Sequence, residues 1–398
     1  MGTCHLFALI FHIMNLSDAL SVIAAEATMP EHVNADSLKK LRKGISLPSG
    51  VKAVEAVGLK GNISIRPIEA LHALSYATRP LYQDDMYDAY MLWGVLRYLG
   101  FFDHSWGEEK SPGLRVSDVG SRVQGVQRGV ASEDLGIGFG VYLAGRWFRE
   151  LTKVNVPLNF IDVDLIYPKR SRRSDYLIIA PDPQRSGHYA TRFLECKGTG
   201  SADYTKKQIK DGVAQLGNKS GLVVSTLANE LSVSYFAVQL DGDGQPPYAE
   251  DATVLDRPYE FWGNIKDGRH GVTFKKALEA CWARLANFGG NLAALGHWSP
   301  QELERSPSSG RREQIETPFG PARGTTSTIV LAGNLLQATF ALECTVDDAL
   351  TDGDNAAIVA AQSKFATRAA AGTSAGDIAE EAIYSAMPNG SILSLGDA

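Results

Sequence analysis

An α/β fold is what this sequence predicts, with a compact core in the middle of the chain, and three observations predict it. Between residues 126 and 245, short apolar runs rich in branched and aromatic residues alternate with turn-forming stretches, as neighbouring strands do. Segments with apolar residues at three- and four-residue spacing bracket those runs, as amphipathic helices do. Hydrophobic residues make up 44% and charged residues 21% of 398, ordinary proportions for a chain that buries a sizeable core.

Three regions follow from the patterning: a helical N-terminal region over 1–125, a core over 126–245, and a mixed α+β region over 246–398. Residues 4–25 are apolar but interrupted by His5, His12, Asn15 and Asp18, with no basic cluster in front. That is a poor signal peptide and a poor membrane span, and it reads as a buried helix. A start at Met14 or Met29 would trim it. Residues 37–45, 66–77 and 84–102 carry helical spacing, and 103–130 turns glycine-, serine- and charge-rich, as a loop or boundary does.

The core opens on residues 132–151, one long helix despite Gly136, Gly138, Gly140 and Gly145. Glycines weaken an isolated helix, so close packing against another element has to justify them. Residues 159–167, 175–180 and 189–197 are the next three strands. Residues 205–217 form a helix with Ile209, Val213 and Leu216 on one face, and 220–228 and 232–240 are two more strands. Beyond them, 274–295 reads as a helix and 325–342 as a hairpin. The alanine-rich tail reads as helical until residues 387–390.

A net charge of −6 excludes a whole-chain basic footprint, so nucleic acid would have to be met by a local patch. Four widely separated cysteines (Cys4, Cys196, Cys281, Cys344) fit a reducing cytoplasm better than a disulfide scaffold or a zinc module. Gly372-Thr373-Ser374-Ala375-Gly376 matches a hydrolase nucleophile elbow. It follows a helical stretch, however, and no histidine follows His297. No phosphate-binding G-x-x-x-x-G-K-[ST] loop is present.

Three charged residues stand where core strands should be apolar. Asp175 opens one strand, and Glu195 and Lys197 share a face of the next, with Cys196 pointing the other way. Placing an acid and an ammonium there costs desolvation energy unless something uses them. A divalent cation would, because Mg²⁺ takes carboxylate and water oxygens. Asp175 and Glu195 would hold one or two Mg²⁺ ions, Mn²⁺ being the alternative, with the Cys196 carbonyl as a further donor. Lys197 would orient the attacking water. In the competing reading Asp175 caps a turn and Glu195 pairs with Lys197 or Lys206 as an ordinary surface ion pair.

Ser174-Asp175-Tyr176-Leu177-Ile178, followed by Phe193-Leu194-Glu195-Cys196-Lys197-Gly198, resembles the PD-(D/E)XK, or restriction-endonuclease-like, superfamily. The likeness covers residues 131–241 and includes the order of an αβββαβ core. Ser174 replaces the proline of the motif's name. The resemblance implies metal-dependent hydrolysis of nucleic-acid phosphodiester bonds, with DNA preferred to RNA. It adds Glu133 as an acid on the first helix, and Gln208 or Gln215 on the helix after the Glu-x-Lys element. Nucleases of this superfamily often serve restriction, repair or anti-phage defence. A nuclease-fold module that only binds nucleic acid or a partner protein is the alternative.

Around these residues, Lys169, Arg170, Arg172 and Arg173 precede Asp175, Arg185 and Arg192 follow it, and Lys206, Lys207 and Lys210 lie on the next helix. Together they form a candidate phosphate-neutralising rim. For Lys169 to Arg173 a solvated turn is the plain alternative. The flanking regions carry no motif and are candidate surfaces for a protein partner.

Overall fold

The computed structural model describes residues 15–31, 44–78, 85–105, 112–153, 155–166, 174–181, 188–241, 249–251, 274–303, 312–331, 333–372 and 382–397. It is a mixed α/β protein with three sheets among those residues.

The N-terminal region contains α1 (Leu16–Ala24), β1 (Ala27–Met29), β2 (Val51–Val54), β3 (Ile63–Ile65), α2 (Pro67–Thr78), α3 (Asp85–Leu96), β4 (Phe102–Ser105), β5 (Gly113–Val116) and α4 (Asp118–Ser121). An all-helical reading of this region is therefore corrected. A four-stranded sheet in the order β3-β1-β5-β4 stands beside its helices. Its strands are three or four residues long, too short to display a period, and distant partners hold them. The candidate loop over 103–130 contains β5, α4 and the first turn of the next helix. The helical stretch at 37–45 lies mostly outside the described residues.

The central region runs α5 (Gly125–Thr152), β6 (Asn159–Asp162), α6 (Val163–Ile166), β7 (Tyr176–Pro181), β8 (His188–Thr199), α7 (Ala202–Leu216), β9 (Gly221–Leu227), β10 (Ser232–Leu240) and β11 (Ala249–Asp251). Its sheet has the order β2-β10-β9-β8-β7-β6, with β11 against β8. β6, β7 and β8 form an antiparallel meander. The α7 crossover makes β9 parallel to β8, and β10 returns antiparallel. The expected boundary at residue 125 is crossed, since β2 pairs with β10. The strand expected over 159–167 stops at Asp162. The Asp162 carboxylate accepts the Asp164 backbone N–H at 2.7 Å and starts α6 instead.

α5 and α7 cover opposite faces of β8. A Cβ on Gly140 of α5 would stand 2.5 Å from Cys196 Sγ, and one on Gly212 of α7 would stand 3.2 Å from Glu195 Cγ. On α5 the glycine expectation holds at Gly136, Gly138 and Gly140, which abut the Lys197–Gly198 backbone, the Ala70 carbonyl and Cys196. Gly145 has only ordinary contact.

The C-terminal region contains α8 (Phe274–Phe288), α9 (Leu292–Trp298), α10 (Pro300–Leu303), β12 (Glu313–Thr317), β13 (Gly320–Leu331), β14 (Asn334–Glu343), α11 (Cys344–Asp352), α12 (Asn355–Gly372), β15 (Ala382–Ala386) and β16 (Ser391–Asp397). The expected helix over 274–295 breaks where Gly290 takes a φ of 67° and Asn291 caps α9. β13 and β14 form the expected hairpin. The tail is helical as expected through α11 and α12, but just ahead of residues 387–390 it forms β15 instead of helix: β15 pairs with β16 and β16 with β14, which completes an antiparallel sheet in the order β12-β13-β14-β16-β15. One hydrophobic cluster runs through all three regions. Among the described residues no helix is long and apolar enough to cross a membrane.

Candidate active site

The register of the meander brings together two acids that lie far apart in sequence. Tyr176 pairs with Leu194 across β7 and β8, so Asp175 falls beside Glu195. Their backbones and side chains interlock. The Asp175 backbone N–H donates to Glu195 Oε2 at 3.1 Å, and the Cys196 N–H donates to Asp175 Oδ2 at 2.7 Å. Lys197, two residues along the same face of β8, brings its Nζ to 2.5 Å from Glu195 Oε1. That contact is a close ion pair without normal hydrogen-bond angles, since Oε1 has no hydrogen-bond partner.

The ion pair of the plainer reading is thus present, with Lys197 rather than Lys206, but it is not a surface pair. The Glu195 side chain is 0% exposed, and that of Lys197 is 21% exposed. Water cannot screen such a contact as it does one on the surface.

The trio sits at the base of a cleft of about 860 Å³. α5 lines it with Gly129, Glu133 and Ile137, spaced four apart on one helical face. Asp162 and Asp164 come from the β6–α6 corner, Ser174, Asp175 and Tyr176 from the start of β7, Cys196, Lys197 and Gly198 from β8, and Gln208 and Gln215 from α7. Glu195 lies beneath the floor. Gln208 ties that floor down, its amide N–H donating to the Gly198 carbonyl at 2.7 Å while its Oε1 accepts from the Ser225 hydroxyl at 2.8 Å.

Glu133, Asp175, Cys196, Lys197, Gln208 and Gln215 therefore meet in one place. Only part of the expected basic rim falls among the described residues. Lys169, Arg170, Arg172, Arg173 and Arg185 lie outside the described residues. Arg192 is withdrawn from any rim: it is 4% exposed, and its Nη1 donates to the Thr191 carbonyl at 2.8 Å. An arginine in an apolar strand takes whichever face the register dictates, and this one faces inward. Lys206, Lys207 and Lys210 stand exposed on α7. Sequence reasoning missed Asp162 and Asp164. Their signal was an acid at every second position of an otherwise apolar strand.

Among the described residues that line it, the cleft carries four acids and one cation. Burial, and then the charge of Asp175, push Glu195 from the usual carboxylate range up to about 8, against the pull of Lys197. Burial also raises Asp175, to about 6. Lys197 and the Cys196 N–H pull it down, while Asp162 and Asp164 push it up. Burial works against the Lys197 ammonium, but Glu195 and Asp175 outweigh it and hold the group above its ordinary value. The Cys196 thiol is raised well above normal by burial and by the two acids, which leaves it no nucleophile. Glu133, Asp162, Asp164 and Asp175 border the cleft and Glu195 underlies it, while Lys197 is the one cation among its described lining residues.

A divalent cation suits that donor set. Two carboxylates whose charge the protein itself under-compensates are hard oxygen ligands. Among the described residues no three His, Cys, Asp or Glu side chains converge as a ready-made metal cage. No protein-family model, curated protein or solved structure matches this chain.

Proposed function

We propose that this chain is a metal-dependent nuclease of the PD-(D/E)XK type that hydrolyses phosphodiester bonds, with DNA as its leading substrate. The observation that carries the reading is the cross-strand pair of Asp175 and Glu195, with Lys197 against Glu195, at a cleft whose described lining carries four acids and one cation. Asp175, Glu195 and the Cys196 carbonyl would hold Mg²⁺ or Mn²⁺. A metal there would lower the pKa of a bound water and stabilise charge on the scissile phosphate.

The chain's own groups do the rest. The Lys197 ammonium donates to the attacking water and places positive charge beside the phosphate. Glu195, buried against Lys197, fixes where that ammonium points. Gln208 holds the Gly198 peptide, and so the end of the strand that carries both groups. Glu133 on the far wall can take a proton from water entering the cleft. Lys206 and Lys207 meet flanking phosphates. By family analogy, the setting is a bacterial restriction or anti-phage defence effector in the cytoplasm, and the flanking regions are where a partner protein would bind.

A second reading has an observation of its own. Among the described residues no three-acid cage is formed, and Glu195 sits beneath the floor with a raised pKa, as in a nuclease fold that clamps nucleic acid without cutting it. Incubation with plasmid DNA, linear DNA and RNA in Mg²⁺, Mn²⁺ or EDTA separates the two. Cleavage in Mg²⁺ should fall at least about a hundredfold in Asp175→Ala and Lys197→Ala, a loss of about 2.7 kcal/mol. Retention of nucleic acid without metal-dependent cleavage would replace the nuclease by the clamp.

A further inference from the structure

We infer that the cleft takes single-stranded nucleic acid, with an unpaired base stacked on Tyr204. The inference rests on the nuclease reading for the substrate's class, and on separate geometry for its strandedness. Tyr204 lies in the first turn of α7, with 58% of its surface in water, among the few large aromatic side chains so exposed. Gln208 and Gln215 of the same helix line the cleft. Residues four apart on a helix stand one above the other, so Tyr204 sits a turn above Gln208, at the lip of the cleft.

The ground beneath the ring is rigid. The turn that leads from Lys197 into α7 is held by the Thr199 hydroxyl, which accepts the Ser201 N–H at 3.1 Å and donates to the Ser201 carbonyl at 3.1 Å. Asn229 donates to the Gly200 carbonyl across the same turn. Lys207, three residues beyond Tyr204 on the helix and exposed, supplies charge for a backbone passing the lip. A solvated ring on a hydrogen-bonded turn, with a lysine one helical turn on, is the arrangement that binds strands through their base faces, whatever their sequence.

A duplex hides those faces between neighbouring pairs, so it cannot use the ring.

Fluorescence anisotropy in EDTA tests this without cleavage. The probes are labelled oligothymidine, an abasic strand of equal length, oligouridine RNA, and a blunt DNA duplex. Wild-type protein should prefer the base-bearing strands to both the abasic strand and the duplex. Tyr204→Ala should weaken binding of the base-bearing strands by about tenfold, leave the abasic strand unchanged, and be rescued by Tyr204→Phe. The DNA and RNA arms show which sugar the site takes.

Equal binding of duplex and single strand would overturn the inference. So would an alanine variant that binds like wild type, or a phenylalanine variant as weak as alanine. Base-dependent binding without metal-dependent cleavage would sink the nuclease reading and leave the stacking platform standing. Cleavage of duplex with no effect at Tyr204 would do the reverse.

Discussion

In the C-terminal region Asp347 is almost as deeply buried as Glu195, with its side chain 3% exposed, yet its surroundings are the opposite. Arg312 reaches Asp347 Oδ1 at 2.5 Å, the Asn291 amide donates to the same oxygen at 2.7 Å, and Arg323 stands 3.3 Å from Oδ2. Glu343 nearby receives Arg368 at 2.7 Å and caps α11 through the Val346 N–H at 3.0 Å. Every oxygen of those two acids has a donor. Among the described residues of the central cleft, Lys197 draws both interlocked acids down, Lys219 also feels the charge of Glu195, and Asp162 and Asp164 add repulsion at Asp175. A buried acid supplied with donors holds a fold together, whereas one left short of positive charge is held ready for a cation from outside.

The largest effect that could break this contrast is on stability. Asp347→Ala removes one partner from each of two arginines and should cost about 3 kcal/mol, the low end for a broken buried pair, because Arg323 keeps Asp348, Arg312 keeps the Gly289 carbonyl, and both keep some water contact. Urea unfolding measures the loss, and the fraction that stays folded should keep its cleavage rate. Asp175→Asn should behave inversely, losing activity while the metal-free protein unfolds no more easily than wild type. If Asp175→Asn were as destabilised as Asp347→Ala, the central acids would be structural and the contrast would be gone.

A second expectation sharpens it through pH. Glu195 and Asp175 are raised above their unfolded values, so folding favours their protonated forms. Their contribution to stability is full below about pH 4 and is lost as pH climbs through about 6 and then about 8. Compared with Glu195→Gln in EDTA, the wild type should therefore lose relative stability between about pH 5 and about pH 9. Mg²⁺ at one hundred times its Kd should return about 2.7 kcal/mol to the wild type and far less to the variant. Parallel thermal melts of the two proteins read this directly. A wild type that Mg²⁺ leaves unmoved at pH 8 would mean the acids do not hold metal.

The central strands, the α7 crossover and the Asp175, Glu195 and Lys197 constellation were legible because long elements repeat their pattern and because charge inside an apolar strand is conspicuous. The register that sets Asp175 beside Glu195 was implied only by where the strands begin. Asp162 and Asp164 escaped because the strand was read through them, and the turn at Asp162 depends on one side chain accepting a backbone N–H two residues on. The N-terminal sheet was illegible for another reason. β1 takes its partners from β3 and β5, dozens of residues away, and three residues carry no period of their own. Arg192 shows the same limit, since its burial follows from register rather than from residue type.

The smallest expected effect compares two glycines on α5, where local propensity and packing compete. Replacing either by alanine should gain about 0.8–1 kcal/mol of helix propensity. At Gly145 the new methyl would meet Leu158 Cδ1 at 3.7 Å, an ordinary contact, so the gain should survive as a modest rise in stability. At Gly136 it would stand 2.9 Å from the backbone of Lys197 and Gly198, which cannot rotate away as a side chain could. Overpacking of that kind costs about 1–3 kcal/mol, which outweighs the propensity gain. It would also push the strand end that carries Lys197 away from Glu195, so Gly136→Ala should lose activity in excess of its loss of stability. Denaturation and cleavage assays on both variants settle the signs, and a Gly136→Ala protein that is stabilised and fully active would show that α5 does not set the floor of the cleft.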